Sequence, residues 1–374
     1  MQISITAIES LSPLGNSPEQ VWQSYLEERH FLAFAEGDWR APLASSAREE
    51  VAELASAGSR FKNLDPTVHF ALAASRRAVA RAGWDSNFGI NIGSSRGATT
   101  LFEKHHSEFL ASGRAATLAS PATTLGNISS WVAQDLQSSG PEISHSITCS
   151  TSLHALLNGV AWLKSGMADK FLVGGSEAPL TPFTIAQMKA LKIYAKPGGE
   201  FPCRAMDFYK KSNGMVLGEG AAACCLVPGS DENALAVISG VGYATESTGN
   251  ATAISAQATC FQKSMAMALG GRRPDVIVMH APGTIAGDKA EMAAIKAVLG
   301  EDVPLLTTNK WKMGHTFGAS GLLSVEFAVM MMQHSRFIGI PYLAVPSRPA
   351  EIKSVLVNSV GFGGNAVSVL LERP

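Results

Sequence analysis

A chain of 374 residues can bury a large core and is long for one compact domain. A net charge of -1, with 16% charged and 46% hydrophobic residues, gives no electrostatic case for nucleic acid or an anionic membrane. Five scattered cysteines do not resemble a disulfide framework, no apolar run spans a bilayer, and the first residues do not read as a signal peptide, so a soluble protein of the reducing cytoplasm is expected.

Ile3 to Ile8 alternates as a strand and leads into a Ser12–Gly15 turn. Ser17-Pro18-Glu19-Gln20 reads as a helix start, with Ser as the cap, Pro in the first turn and Gln reaching back. Residues 30–62 have weak periodicity and read as loop with short helices. Asp65-Pro66 opens a helix that stops at Gly83. Phe88 to Ile92 is a strand running into a Gly93–Gly97 loop, and Leu125 to Leu136 reads as a helix.

Ile143 to Thr148 has the β-branched alternation of a strand, whereas Leu153, Leu156, Leu157, Val160 and Leu163 fall at helical spacing as far as Gly166. Cys149 therefore stands at a strand-to-helix elbow. The unpaired N–H groups of a helix start carry partial positive charge and favour a thiolate, which makes Cys149 a candidate nucleophile. The alternative is a buried cysteine serving as a small apolar residue.

Phe171 to Glu177 begins as an apolar strand, and its glycines imply close backbone approach. Met215 to Val227 reads as a buried strand or strand pair. Residues 228–233 are turn-rich and divide the chain into halves, 1–228 and 229–374. The second half restarts with strand Leu235 to Ile238. Asp275 to Met279 delivers His280 at a strand end, and Asp288 to Glu291 reads as the cap of the next helix. Leu305 to Thr308 leads to Lys310 and His315, before an apolar helix from about Gly318. Val355–Val357 and Val367–Leu371 pair as a hairpin around Gly361-Phe362-Gly363-Gly364. Strands alternate with helices in both halves, so the fold class is α/β and layered, without a sequence repeat.

Cys149, His280 and His315 thus stand at strand ends or glycine-rich loops, where sites gather in α/β folds. They come singly, without the paired spacing of a metal site, so neither a metal nor another cofactor is expected. The other histidines read as ordinary surface or core residues.

Taken in order, several motifs give the chain a specific resemblance. They are Leu11–Asn16, Thr148-Cys149-Ser150-Thr151-Ser152, Gly174–Glu177 and Gly214–Ala221, followed by His280 with Gly287–Glu291, Lys310 with Gly314-His315 and Gly318–Gly321, and Asn358–Gly364. Over nearly its whole length the chain resembles the β-ketoacyl-acyl-carrier-protein synthases of the synthase I/II branch. That resemblance implies a thiolase fold, two similar halves packed as five layers (αβαβα). It implies an acyltransferase in which Cys149 takes an acyl chain from a thioester and condenses it with decarboxylated malonyl-acyl-carrier protein. The N–H groups of Cys149 and Phe362 would form the oxyanion hole, with Phe362 also gating the acyl pocket. His280 and His315 would stabilise the enolate, and Lys310 would set the charge around them. Thr284, Gly363 and Gly364 would contact substrate. The implied partners are an acyl carrier protein and either a second copy or a related ketosynthase or chain-length-factor subunit.

Some residues depart from the family pattern. Pro282 replaces one of two threonines that contact the pantetheine arm. Ser324 stands where the family has a glutamate, with Glu326 about half a turn further on. Val360 replaces a phenylalanine, Asn365 a threonine and Asn213 an aspartate, and the segment from Arg204 to Gly214 is longer. These changes point to a specialised synthase of a polyene, polyketide or other secondary acyl chain. A thiolase would need a second late cysteine, and none follows Cys260. Synthase III would use a His–Asn pair. A non-catalytic chain-length-factor-like subunit is the remaining alternative, and Pro282 is the residue that favours it.

Overall fold

The computed structural model describes residues 2–125, 127–247, 249, 254–344 and 351–374. Gly126, inside the helix predicted from Leu125, lies outside them; the observed helix is Asn127–Leu136. Among the described residues no helix is long and apolar enough to cross a membrane.

Strands β1 (Ile3–Leu11), β2 (Gly89–Gly93), β3 (Glu142–Ile143), β4 (Phe171–Glu177) and β5 (Gly220–Pro228) lie side by side in the order β3-β2-β4-β5-β1. Strands β6 (Ala236–Thr245), β7 (Val276–Val278), β8 (Leu305–Thr307), β9 (Ser354–Gly361) and β10 (Asn365–Glu372) lie in the order β8-β7-β9-β10-β6. Each set has its third, second and fourth strands parallel and its fifth and first antiparallel to their neighbours. The two halves therefore repeat one topology, although their residues do not repeat. Ile3, Ser4 and Ile5 of β1 pair with β6 and join the sets into one ten-stranded ladder.

Six helices matter for the layers and the site: α1 (Pro18–Leu26), α2 (Pro66–Ala82), α3 (Thr151–Lys164), α4 (Thr259–Leu269), α5 (Ile285–Leu299) and α6 (Ser320–Gln333). Helices α3 and α6 form the middle layer, sharing one core with Val173 of β4, Val276 and Val278 of β7, and Val355 and Val357 of β9. The intervening strand residues turn the other way. Leu172 packs under α2, while Ile277 and Leu356 pack against α4 and α5. This alternation gives the expected five layers and explains why the central strands read as continuous apolar runs: both faces are covered. Helix α6 is buried from Ser320 to Met332, so it too is covered on every side, and most of its residues are apolar.

Several sequence signals act as read. The Ser17 side chain accepts the Gln20 N–H, Asp65 Oδ1 accepts the Thr67 N–H at 2.9 Å, and Gly83 ends α2 at φ 63°. Others differ. Residues 30–62 contain a full helix, Ser45–Ser56, and two strands of a small sheet, Ala33–Ala35 and Asp38–Ala41, completed by Leu217–Gly218. The strand predicted to run up to Cys149 is a regular strand only at Glu142–Ile143, and Thr148 at φ 47° lies outside the extended region. The helix after His280 starts at Ile285 with Thr284 as its cap, so Asp288 and Glu291 are freed for other work.

Buried Glu326 does not support the site from α6. It accepts the Ser10 hydroxyl at 2.7 Å near Glu9, Arg77 and Arg81, and burial pushes its carboxyl from 4.5 up to about 7. The folded state thus holds this proton after the unfolded chain has lost it, and the group's contribution to stability falls as pH rises from about 4.5 to 7. Glu326→Gln is expected to raise the melting temperature at pH 8, by a free energy on the order of 3 kcal/mol at ~1.4 kcal/mol per pKa unit. Melting curves at pH 4 and 8 check this, since the gain should vanish at pH 4.

Candidate active site

The elbow at Cys149 is built by close backbone packing. The Thr151 hydroxyl donates to the Thr148 carbonyl at 2.6 Å and accepts the Ile147 N–H at 2.9 Å, which fixes the turn. From the other half, the Ser359 hydroxyl donates to the Cys149 carbonyl at 3.2 Å. A Cβ on Gly361 would lie 2.7 Å from the Ile147 oxygen and closer still to Thr148 Oγ1, and one on Gly175 would lie 2.7 Å from Ser152 Cβ. The glycines predicted to permit close approach therefore do so around the first turn of α3. Gly361→Ala is expected to cost ~1–3 kcal/mol by overpacking and to slow acylation of Cys149, checked by thermal melting and intact mass.

His280 follows β7 and is held from behind. Glu291, one buried turn into α5, accepts the His280 and Ala281 N–H groups at 2.9 Å each and an Asn358 side-chain N–H at 3.1 Å. Ala281 sits at φ 25°, a strained backbone that this carboxyl fixes. His315 comes from the second half, and its backbone N–H donates to the Val216 carbonyl of the first half at 2.7 Å, after Gly314 at φ 73°. Cys149 and His315 occupy matching places in the two halves, each just before a middle-layer helix. The His280 and His315 rings lie 5.1 Å apart, nearly perpendicular, with Phe317 5.5 Å from His315.

Cys149, His280, His315, Thr284 and Phe362 all line one cavity of about 270 Å³, otherwise walled largely by apolar side chains such as Met188, Met215 and Val360. Lys310, Gly363 and Gly364 are not in its wall. The two glycines form the β9–β10 turn at φ 86° and 71°, and the Gly364 N–H donates to the Gly361 carbonyl at 3.1 Å, so they shape the loop and do not meet the cavity as expected. Thr284 both lines the cavity and caps α5, accepting the Gly287 N–H at 3.2 Å. Among the described residues, the N–H groups of Cys149 and Phe362 donate to no other residue and remain free for an oxyanion.

The electrostatics correct one expectation. The helix start was expected to favour a thiolate, but burial pushes the Cys149 thiol up to about 12, and the Glu177 carboxylate adds to this against Lys310 and Arg96. The resting sulfur is a thiol. Burial and the Lys310 ammonium hold both imidazoles well below 6.5, so both are neutral; the Nδ1 atoms are buried without a partner among the described residues. Burial lowers Lys310 itself, resisted first by the charge of Glu291, whose own carboxyl burial raises above the usual carboxylate range. Lys310 acts on the site through its charge, from behind the cavity wall.

Glu291 is the carboxyl whose charge acts most on Lys310, while Ser324, where the family has a glutamate, donates to Asn309 Oδ1 at 3.4 Å. The signal was present: Asp288 and Glu291, three residues apart, share a helix face with Ala294 and Ile295, and all four are buried. Read as a capping pair, they were assigned to the helix start. Asn213 accepts the Ile285 N–H at 2.8 Å and, like Pro282, lines the cavity.

Comparison with known proteins adds family evidence to this geometry. The model for beta-ketoacyl synthase, N-terminal domain, matches residues 1–232, and that for its C-terminal domain matches residues 235–340. A 3-oxoacyl-[acyl-carrier-protein] synthase 2 of Coxiella burnetii is 26% identical, covering 100% of this chain and 98% of its own. One from Staphylococcus aureus is 28% identical, covering 99% of this chain and 98% of its own. The solved ishigamide ketosynthase/chain length factor shares the thiolase fold at a TM-score of 0.87 and 22% identity, covering 100% of this chain and 99% of that one.

Proposed function

The chain belongs to the beta-ketoacyl synthase family, and we propose that it condenses an acyl thioester with malonyl-acyl-carrier protein through an acyl–Cys149 intermediate. The observation that carries this reading is the meeting of one buried thiol and two neutral imidazoles on a single, mainly apolar cavity.

Acylation begins as the Cys149 thiol gives its proton to a neutral imidazole and the sulfur attacks the acyl thioester carbonyl. The free N–H groups of Cys149 and Phe362 receive the oxyanion. Collapse expels the carrier thiolate, which takes up the proton. A malonyl thioester then enters with its carbonyl oxygen against the N–H groups of His280 and His315. Carbon dioxide leaves, and the electron pair of the broken C–C bond becomes an enolate held by those two donors. Its carbon attacks the acyl carbonyl, and the Cys149 sulfur departs with its electron pair and takes up a proton from solvent, which restores the resting thiol. The product is a β-ketoacyl thioester on the carrier. Neutral rings suit this sequence, because each has one N–H to give and a basic nitrogen for the thiol proton.

The enzyme works with an acyl carrier protein, as its relatives' names describe for them, in the cytoplasm, where its five buried free thiols stay reduced. Residues 1–228 form the half with the nucleophile and 229–374 the half with the histidines. A second copy or a related ketosynthase or chain-length-factor subunit completes a dimer. Phe102 (62% exposed) and Leu110 (71%), both on helix Thr99–Ser112, support such a covering partner. The altered residues Pro282 and Val360 in the cavity wall favour a specialised acyl chain, of fatty-acid, polyene or polyketide type. The test is reconstitution with acyl- and malonyl-carrier protein. A β-ketoacyl product with stoichiometric carbon dioxide is expected, whereas no product from the purified dimer would leave only the partner-subunit reading.

A further inference from the structure

We propose that Glu177 is a positioning residue for the nucleophile: its carboxyl binds two segments and abuts a third beneath the elbow, and its charge state governs how readily the Cys149 thiol gives up its proton. This rests on Cys149 being the reactive thiol of the function proposed above. Glu177 ends β4 and is fully buried. Its Oε1 accepts the N–H of Ser95, from the loop after β2, and the N–H of Gly318 at 3.2 Å, from the turn that carries His315. Its Oε2 is buried and has no partner among the described residues.

The third segment is the first turn of α3. A Cβ on Gly318 would lie 2.7 Å from Glu177 Oε1 and 3.2 Å from Thr151 Cβ, so only a glycine's width separates the carboxyl from the turn that begins at Cys149. A buried carboxylate with one oxygen unpaired is costly to ionise. Burial accordingly raises Glu177 to about 8, against Ser95, Ser94, Gly318 and the Arg96 cation. The charged groups acting on the sulfur are Glu177, which holds its proton on, and Lys310 and Arg96, which favour its loss. Two neighbouring anions in a dry pocket are unfavourable. With the carboxyl neutral, the thiol ionises on attack without opposition; with the carboxyl charged, it is held back. Ordinary structural support would use the two accepted bonds alone, which a glutamine oxygen also provides.

The experiment measures iodoacetamide alkylation of Cys149 in the full-length protein from pH 7 to 10, followed by the mass of the Cys149 peptide. Glu177→Gln is expected to speed labelling about tenfold near pH 9, the smaller end of a neighbouring charge's effect. Arg96→Gln is expected to slow labelling at the same pH. Overlap of the Glu177→Gln profile with wild type, at unchanged melting temperature, would overturn the proposal. Should that variant not fold, an unmoved Arg96→Gln profile would overturn it equally. Alkylation needs no thioester, so this outcome is read independently of whether the enzyme makes a β-ketoacyl product.

Discussion

Changing Cys149 to alanine is expected to abolish the acyl-enzyme and to lower condensation by roughly 10⁴–10⁶-fold, as removal of a covalent nucleophile does. The fold should survive. The sulfur is a small buried group, and the elbow is held by the Thr151 hydroxyl, the Ser359 bond to the Cys149 carbonyl and the facing glycines, none of which uses the thiol. Its loss costs stability only on the order of 1 kcal/mol. Product quantification beside a melting curve checks both statements. A variant that retained substantial condensation would place the nucleophile elsewhere.

The second large effect concerns the paired rings. His280→Ala and His315→Ala are each expected to slow malonyl decarboxylation by about 10²–10³-fold, the usual cost of one oxyanion donor. The double variant should fall well short of the product of the two, because both donors serve one oxygen and the rings lie 5.1 Å apart. Acyl transfer to Cys149 should be less affected in at least one single variant, because only one imidazole is needed to take the thiol proton. Carbon dioxide release and Cys149 acylation, measured separately, resolve the steps.

Much of the site was legible because its residues sit at points where local structure changes. Cys149, His280 and His315 were each found at the end of a strand or beside glycine, and the cavity gathers all three. The layered α/β class was legible too, since a strand covered on both faces, such as Phe171–Val173 or Val276–Val278, has no polar alternation to confuse with a surface strand, whereas the number of layers came only from the family resemblance. What escaped depended on tertiary contact. Glu291 looks like a capping residue until α5 is seen to begin at Ile285, leaving its carboxyl to reach back to the His280 N–H. Glu326 lies about half a turn beyond the family's glutamate position, and only its bond to Ser10 shows it turned toward β1. The thiol's resistance to ionisation was equally hidden: a helix start can be read from sequence spacing, whereas the burial opposing it is a property of the assembled halves. The duplicated strand order was expected only through the family resemblance and not through a sequence repeat, because topology is set by which strands pair, and different residues can satisfy the same pairing.

The most direct measurement is peptide mapping of the purified protein after incubation with an acyl-acyl carrier protein and no malonyl donor. A mass increase equal to the acyl group, confined to the peptide containing Cys149 and discharged when malonyl-acyl carrier protein is added, is the predicted result. An acyl group found on another residue, or a Cys149 peptide that stays unmodified while β-ketoacyl product forms, would contradict the account.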